Sequence, residues 1–453
     1  MRQIAQIMKF SEKIPEIDTI TDSLCSYFDK DRIEQEAKDT KFIQRPRQLT
    51  GMAFFSICIM QGFGTSLGIM CGALGFDFSI KMCGQSLNER FTDNAVTFMK
   101  RMFEQMLQIE LVQLVSMDFL GKFTGVFIQD ATTIKLPDAL SSMYKGSGGS
   151  AGKSSAKVDF TMDVQGTACQ MDIRPGASTE NTCKVKNPKK GALYLRDLGY
   201  FNIPFFNLII EAGAYFLSRL KSKTSVYGDS RGKKPLDIGE LAKKLKPNEI
   251  LHIPVFIGNR RFVPVFLILQ KLPPEVVAVK IERAKKDHQK RMTKMEKHHL
   301  EWCEFNSYVT NIPFEWFPAL TLIQIYGIRW QIEIMFKVWK SIFKIDTVGK
   351  IIPNRAVCIL YGRLIWITLQ MKIFRVYKVN IYGVSQKEAS ELSAFKQMNE
   401  YKKQFGKAIV SGQTEVWKVL LRFLYEVIQG FAIKKNRKDK KTPLYNTNFK
   451  LVT

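Results

Sequence analysis

The chain has 453 residues with 68 Lys or Arg against 42 Asp or Glu, a formal net charge of +26 and a pI near 9.6. This length predicts roughly two to four domains rather than one small core. The positive excess indicates a polyanionic partner, with nucleic acid ahead of an anionic membrane surface. Eight cysteines form no C-x-x-C pair and only four histidines occur, which excludes zinc-site spacing and suits a reducing cytosol.

The first 118 residues are predicted to be a helical DNA-binding region, because apolar residues recur three and four positions apart. The same spacing of apolar residues could equally belong to helices that only pack against the rest of the protein. Between Gln48 and Phe76 the chain carries no charge, over a length sufficient for a bilayer span. Glycines interrupt this run, so we expect two buried helices joined near Gly64 and no membrane segment.

From Phe123 onward the pattern changes to strands. A strand predicted from Phe123 to Leu136 contains Asp130, and a short apolar run from Ala192 leads to Asp197. A third strand, Ala214 to Leu220, carries Arg219 near its end. An acid at the carboxyl end of a strand lies at the rim of an open sheet, where ligands bind. A single Asp in that position is nevertheless more often a turn residue.

Residues 222–306 differ in composition and are predicted to be a β-rich insertion. Two strand-like runs are followed by a strongly basic helix, roughly Glu275 to Trp302. Residues 351–453 are predicted to be a helical C-terminal region, with possible dimerisation. Its basic end, Lys434 to Lys441, is typical of a solvated tail or of a DNA contact.

Tyr326 to Lys340 is predicted to be a single helix. At about 100° per residue, one narrow stripe of this helix holds a phenol, a carboxylate and three cations: Tyr326, Arg329, Glu333, Lys337 and Lys340. Apolar residues occupy the opposite face: Ile328, Ile332, Met335 and Trp339. A lone acid among cations suits a metal ligand beside a phosphate. A solvated face with a Glu333–Lys337 ion pair is the alternative.

Three acids, Asp130, Asp197 and Glu333, are therefore the candidate catalytic and metal-binding residues. Carboxylates that converge need a cation between them, and ligands that are all oxygen select Mg²⁺ or Mn²⁺ over zinc. Such ions can activate a water or hydroxyl and stabilise the leaving oxygen in phosphodiester displacement. Neighbouring cations would then hold the DNA backbone.

These residues resemble the insertion-sequence-4-type bacterial DDE transposases. The family signature Tyr-x-x-Arg-x-x-x-Glu-x-x-x-x-x-x-Lys is matched by Tyr326, Arg329, Glu333 and Lys340. The segments Gln-Asp-Ala-Thr-Thr and Asp-Leu-Gly-Tyr-Phe resemble those around the family's first and second acids, and they contain Asp130 and Asp197. Arg219 resembles a basic residue near the family's site. The resemblance covers roughly residues 120–350.

The resemblance implies an α/β fold, with a ribonuclease H-like core at 119–221 and 307–350. A mostly β insertion at 222–306 interrupts this core, and helical regions flank it at 1–118 and 351–453. It also implies a Mg²⁺-dependent enzyme, with Mn²⁺ as substitute, in the bacterial cytoplasm and on the nucleoid when bound to DNA.

For the reaction, the resemblance implies cut-and-paste transposition by a homodimer on double-stranded DNA. The enzyme nicks terminal inverted repeats, forms and reopens a hairpin, and joins the 3′ ends to target DNA. DNA phosphates would be held by four residues: Tyr326, Arg329, Lys337 and Lys340. The family often stacks a Trp on a flipped base, and here Asn306 occupies that place, which leaves Trp302 and Phe305 as candidates. A catalytically silent DNA-binding relative and a nuclease without strand transfer remain open alternatives.

Overall fold

The computed structural model describes residues 17–45, 48–109, 121–149, 152–163, 168–178, 187–230, 232, 234–258, 262–290, 292–294, 296–346 and 351–434. The predicted basic tail beyond Lys434 lies outside these residues. Within them the chain divides into two compact units. The first holds Met1–Val115, Ala131–Ser178 and Gln331–Lys440, and the second holds Ser116–Asp130, Thr179–Trp330 and Lys441–Thr453.

Short helices make up the described N-terminal part of the first unit. Four of them start at an Asp, Ser or Thr whose side chain accepts a hydrogen bond from the N–H three residues later, which satisfies a free donor of the first turn. The helices are α1 (Ile17–Tyr27), α2 (Lys30–Asp39), α3 (Gly51–Met60), α4 (Leu67–Phe78), α5 (Gly84–Asn88) and α6 (Asp93–Gln108).

The uncharged run between Gln48 and Phe76 forms two helices, α3 and α4, as predicted. Nearly all of α3 is buried. The predicted burial of α4 is wrong, since only Met70 and Leu74 are buried on it and Phe76 is 88% exposed. Its apolar composition is therefore not accounted for by packing against the residues that the structure describes.

The C-terminal part of the first unit is organised around one long helix. The helices are α13 (Pro353–Ser385), α14 (Glu391–Glu400), α15 (Lys402–Ser411) and α16 (Thr414–Phe431). Among the described residues, only α13 is long and apolar enough to cross a membrane, and its apolar stretch is wholly buried inside the protein. Gly362 of α13 lies so close to α3 that a Cβ there would be 2.1 Å from the Cys58 carbonyl oxygen. These features are those of a central core helix.

A nine-stranded mixed sheet has the order β3-β2-β1-β4-β5-β9-β8-β7-β6. The pairs β1–β4 and β4–β5 are parallel, whereas the ladders β2–β3, β5–β9, β9–β8, β8–β7 and β7–β6 are antiparallel. The strands are β1 (Val126–Lys135), β2 (Ser155–Asp163), β3 (Ala168–Pro175), β4 (Leu193–Arg196), β5 (Tyr215–Arg219), β6 (Val226–Tyr227), β7 (Ile250–Ile257), β8 (Val263–Lys271) and β9 (Phe305–Thr310). Together with the helices at both ends, this sheet confirms the α/β class.

Within the second unit, the predicted insertion does not form a sheet of its own. Its strands β6, β7 and β8 continue the ladder from β9, so they share the sheet that carries β4 and β5. Apolar side chains from both parts form one hydrophobic core, which includes the stacked rings of Phe206 and Phe216 at 4.1 Å. The helices of this unit are α7 (Ile203–Glu211), α8 (Ile238–Lys243), α9 (Pro274–Lys290), α10 (Lys297–Glu301) and α11 (Ala319–Gly327).

The basic helix predicted from Glu275 to Trp302 is two helices instead. The first, α9, ends at Lys290, and α10 starts at Lys297. Between them Met292 adopts a left-handed φ of 51°, and the Thr293 N–H bonds back to the His288 carbonyl. A left-handed residue with such a back-bond is a common way for a helix to end, and Met gives little sequence signal for it.

Candidate active site

Three candidate residues come directly after paired positions on three adjacent parallel strands. The register pairs Gln129 of β1 with Arg196 of β4, and Arg196 with Ser218 of β5. The residues that follow these three positions in the chain are Asp130, Asp197 and Arg219. Since neighbouring strands lie about 4.8 Å apart, these three backbone positions are side by side. The structure therefore brings together the first two predicted acids and the predicted cation.

The two acids differ in how the chain continues after them. Strand β4 ends at Arg196, and Asp197 keeps an extended conformation (φ −73°, ψ 164°) before the 3₁₀ turn Leu198–Tyr200. Its carboxylate makes no capping bond to that turn, and its side chain is 40% exposed. Asp130, in contrast, lies inside β1, which runs on to Lys135. It occupies the rim because the pairing with β4 stops at Gln129.

One arginine contacts both acids. The Nη1 atom of Arg329 lies 3.3 Å from the Asp130 Oδ2 and its Nη2 lies 3.8 Å from the Asp197 Oδ1. The Arg329 side chain is only 13% exposed, so water screens these contacts weakly. Two neighbouring carboxylates repel each other, and a guanidinium between them offsets that repulsion. Arg329 thus holds the pair of acids together.

Tyr326 supports the same strand end from a buried position. Its hydroxyl donates a 3.2 Å hydrogen bond to the main-chain carbonyl of Arg196, the residue before Asp197. Burial raises the pKa of Tyr326 well above its ordinary value, so the phenol stays neutral. Its ring packs edge-on against Tyr308 at 5.1 Å, and Tyr308 is the β9 partner of Arg219. The geometry makes Tyr326 a support for the Asp197 position.

The helix predicted from Tyr326 to Lys340 is interrupted. The helix α11 ends at Gly327, and the next helix, α12 (Trp330–Ser341), starts after a turn formed by Ile328 and Arg329. Both turn residues bond back three positions rather than four, to Ile325 and Tyr326. Tighter winding of this kind separates the two helices, so the prediction of one continuous helix is wrong.

The predicted packing face survives this interruption, since its four apolar members are all buried: Ile328, Ile332, Met335 and Trp339. The remaining signature residues lie on α12 in the first unit. Glu333 is in the first turn of α12, four residues after Arg329, and is half-buried. Lys337 is exposed, and Lys340 in the last turn is half-buried.

The two base-stacking candidates have different surroundings. Phe305 is 2% exposed and belongs to the hydrophobic core of the second unit. Trp302 is half-buried and packs on Phe305, with ring centroids 5.2 Å apart. A ring already enclosed by the core is not available to a base, so this burial favours Trp302.

Sequence reasoning missed Arg196 and Tyr308. Arg196 is 1% exposed, and its guanidinium carbon lies 3.9 Å from the Phe205 ring centroid and 5.2 Å from that of Tyr200. Its side chain points to the opposite sheet face from Asp197, because successive residues of a strand alternate. The sequence feature that could have singled out Arg196 is a charged residue at the end of the run Leu-Tyr-Leu-Arg.

No group of three His, Cys, Asp or Glu side chains is arranged to hold a metal ion among the residues that the structure describes. Asp130 and Asp197 do supply two carboxylates on neighbouring strands, joined through Arg329. Carboxylate oxygens are the donors that Mg²⁺ and Mn²⁺ prefer, so the chemistry of this pair fits a hard divalent cation.

Comparison with known proteins gives the family. The family model described as "Transposase DDE domain" matches residues 121–369, which include every candidate residue of the site. The chain is 31% identical over 448 residues to the transposase for insertion sequence element IS1151 of Clostridium perfringens, covering 93% of this chain and 94% of the relative. It is 29% identical to the transposase for IS231F of Bacillus thuringiensis subsp. israelensis and 28% identical to that for IS231E of subsp. finitimus, each over 94% of both chains. The chain therefore belongs to the DDE transposase family.

Proposed function

We propose that this transposase cuts DNA at the terminal inverted repeats of an insertion sequence and joins the freed 3′ ends to target DNA. The observation that carries the proposal is the strand register that puts Asp130, Asp197 and Arg219 side by side, with Arg329 bound to both acids. Two acids and two cations at one sheet rim suit a phosphodiester backbone, which carries negative charge and needs electrophilic assistance.

The sheet supports a ribonuclease H-like core. Its part β3-β2-β1-β4-β5 combines an antiparallel β2–β3 hairpin with parallel β1, β4 and β5. Asp130 lies on β1, the central strand of that part, and Asp197 comes directly after its neighbour β4. The helix α12, which follows the last core strand β9 and the short helix α11, carries Glu333. This order of acids along the chain is the one that the resemblance implies.

DDE transposases use divalent metal ions, and we propose that Asp130, Asp197 and Glu333 hold them here, as Mg²⁺ with Mn²⁺ as a substitute. When bound, such ions activate the attacking water or hydroxyl and stabilise the leaving oxygen. Glu333 lies in the first turn of α12 and follows Arg329 by four residues along the chain.

The cations have separate roles in this proposal. Arg219, Lys337 and Lys340 bind backbone phosphates near the cut, and Arg329 keeps the acids aligned while facing the same DNA. Tyr326 positions the Asp197 segment through the Arg196 carbonyl. Trp302, which is half-buried and packs on Phe305, is the candidate for stacking on a base.

The proposed partners are double-stranded DNA at the inverted repeats, target DNA and a second copy of the chain, with a hairpin as the cleavage intermediate. Since α13 is buried in the core of its own unit, a dimer contact in the C-terminal region would use α14, α15 or α16. We propose that the enzyme acts in the bacterial cytoplasm and lies on the nucleoid when it is bound to DNA.

The test is a cleavage assay on duplexes that carry the repeats flanking the gene, with the Asp197→Asn variant. Its matched control is Asp138→Asn, which changes an exposed acid on a short 3₁₀ turn. We expect Asp197→Asn to bind the duplex but to lose Mg²⁺- and Mn²⁺-dependent nicking, and Asp138→Asn to cut normally. EDTA should stop cutting and leave binding intact.

Normal nicking by Asp197→Asn would falsify the site assignment. Binding by the wild-type protein without nicking in Mn²⁺ would favour a catalytically silent relative. Nicked products without joined products would instead favour a nuclease that performs no strand transfer.

A further inference from the structure

Lys280 occupies an unusual position on the basic helix α9. No residue of α9 is fully buried, but five residues on one side are half-buried: Val277, Lys280, Ile281, Ala284 and His288. The spacing of three and four residues makes this the side that faces the protein. The other cations of α9, such as Arg283 and Lys286, are exposed. Lys280 is thus the lysine of this helix that is turned inward.

The inward position brings the Lys280 ammonium onto β9. Its Nζ donates to the Phe305 carbonyl oxygen at 3.2 Å and to the Asn306 Oδ1 at 3.3 Å. The Asn306 amide is held in turn, because it donates to the Gln270 Oε1 at 3.2 Å. An ammonium has three donors, so these contacts leave one for another acceptor.

Arg219 lies next to this lysine on the same sheet face. Arg219 pairs with Tyr308 across the β5–β9 ladder, and Asn306 precedes Tyr308 by two residues. Paired residues and residues two apart in a strand point to the same face, so Arg219 and Asn306 share it. Arg219 is also the residue beside Asp197 in the row of strand ends.

Among the residues that the structure describes, neither Lys280 nor Arg219 forms a salt bridge, and Asp197, which lies beside Arg219 in the row of strand ends, contacts Arg329. Glu304, which is close in sequence, is paired with Lys271 at 2.6 Å. Burial and the charge of Arg219 lower the pKa of Lys280 to about 8. Holding two like charges together when neither has an ion-pair partner is unfavourable for the free protein, and such an arrangement is typical of a binding site for an anion.

We propose that Arg219, Lys280 and Asn306 form a cradle for one backbone phosphate of the bound DNA, beside the acids and on the side of the insertion. The inference rests on the proposed function, since it takes DNA as the ligand. Lys280 supplies a point charge with a free donor, Arg219 supplies a planar fork, and Asn306 holds the ammonium in place. The insertion thereby contributes a DNA contact next to the reacting strand.

The experiment compares the full-length Lys280→Met variant with Lys286→Met. Lys286 lies on the same helix with an exposed side chain and an ion pair to Glu282. The probe is a mixed-sequence DNA duplex, and its dissociation constant is measured by fluorescence anisotropy from about 50 to about 200 mM salt. We expect Lys280→Met to bind about tenfold more weakly at low salt and to reduce the salt slope by about 1, the value for one lost phosphate contact.

Two further measurements separate binding from folding. Lys280→Arg keeps the charge and should retain the wild-type salt slope. Wild-type affinity should fall as the pH rises through about 8, because Lys280 then loses its proton, whereas Lys280→Arg should show no such fall. The neighbouring Cys303 thiol does not account for such a fall, because burial raises its pKa.

An unchanged salt slope in a folded Lys280→Met protein overturns the inference. So does a loss of slope in Lys286→Met equal to that in Lys280→Met, because exposed lysines would then account for the effect. If the slope falls as expected but the wild-type protein never cuts repeat-bearing DNA, the cradle stands and the proposed function fails. If the wild-type protein cuts this DNA but the salt slope of Lys280→Met is unchanged, the proposed function stands and the cradle fails.

Discussion

The close contact between α13 and α3 predicts that Gly362→Ala destabilises the first unit. The added Cβ would lie 2.1 Å from the Cys58 carbonyl oxygen and 2.4 Å from its carbon, against 3.4 Å for ordinary contact. The two helices must separate by the difference, 3.4 − 2.1 = 1.3 Å. Overpacking costs about 1–3 kcal/mol, and main-chain atoms that cannot rotate away favour the upper value. The higher helix propensity of Ala than of Gly offsets about 1 kcal/mol of this cost, which leaves a net loss of about 2 kcal/mol in the free energy of unfolding.

Gly383→Ala is the matched control on the same helix. Gly383 is exposed, and a Cβ there meets nothing within 4 Å. Only the propensity gain remains, so we expect this variant to be more stable by about 0.5–1 kcal/mol. The two substitutions are chemically identical and should therefore change stability with opposite signs.

The assay is urea unfolding followed by tryptophan fluorescence, since Trp366 and Trp417 are fully buried in this unit. With a denaturant dependence of about 3 kcal/mol/M, Gly362→Ala should lower the midpoint by about 0.7 M, and Gly383→Ala should raise it by about 0.2–0.3 M. An equal or higher midpoint for Gly362→Ala would show that the helices do not approach as closely as described.

Two further predictions concern single side chains. Tyr326→Phe keeps the ring but removes the hydrogen bond from the hydroxyl to the Arg196 carbonyl, so we expect a loss of about 0.5–1.5 kcal/mol in unfolding free energy. We also expect slower nicking at an unchanged salt slope of DNA binding. A slope reduced by about 1 would mean that the hydroxyl contacts a phosphate instead. For Glu391, burial acts to raise the pKa, but the charges of Lys378 and Lys434 outweigh it and lower the pKa to about 2. A carboxyl with a lowered folded pKa stabilises the protein above its unfolded pKa of about 4.3, and this contribution, of order 3 kcal/mol, is lost as the pH falls toward about 2. Acid unfolding of Glu391→Gln should lack this slope between about pH 4 and pH 2, and a wild-type slope in the variant would contradict the assignment.

The acids of the site could be predicted because their signal is local. Asp130 and Asp197 each follow an apolar run, and parallel strands bring such positions to one rim whatever the rest of the chain does. The joint between α11 and α12 could not be predicted in this way. Ile328 and Arg329 have ordinary helix propensities, and only their contacts with distant residues select the tighter turn. Arg329, for instance, reaches Asp130, which lies about two hundred positions earlier in the chain.

The insertion shows the same limit at a larger scale. The two strand-like runs predicted in it are confirmed by β7 and β8. Their place beside β9 depends on pairing partners far away in the chain, which composition does not reveal. The inward orientation of Lys280 depends on that place, and so a basic helix that looks uniformly solvated in sequence carries one lysine with a different environment.

The continuous ladder from β5 through β9 to β8 limits how a shorter enzyme could be made. Deleting the insertion would remove β8, which forms the hydrogen bonds along one side of β9. It would leave β9 as an unpaired edge strand two strands away from Asp197. Such an edge pairs readily with other chains, so a trimmed protein would tend to aggregate unless charged residues or a new covering helix were added. Engineers who want a smaller transposase from this scaffold should remove the terminal helices piecewise before they touch the middle of the chain.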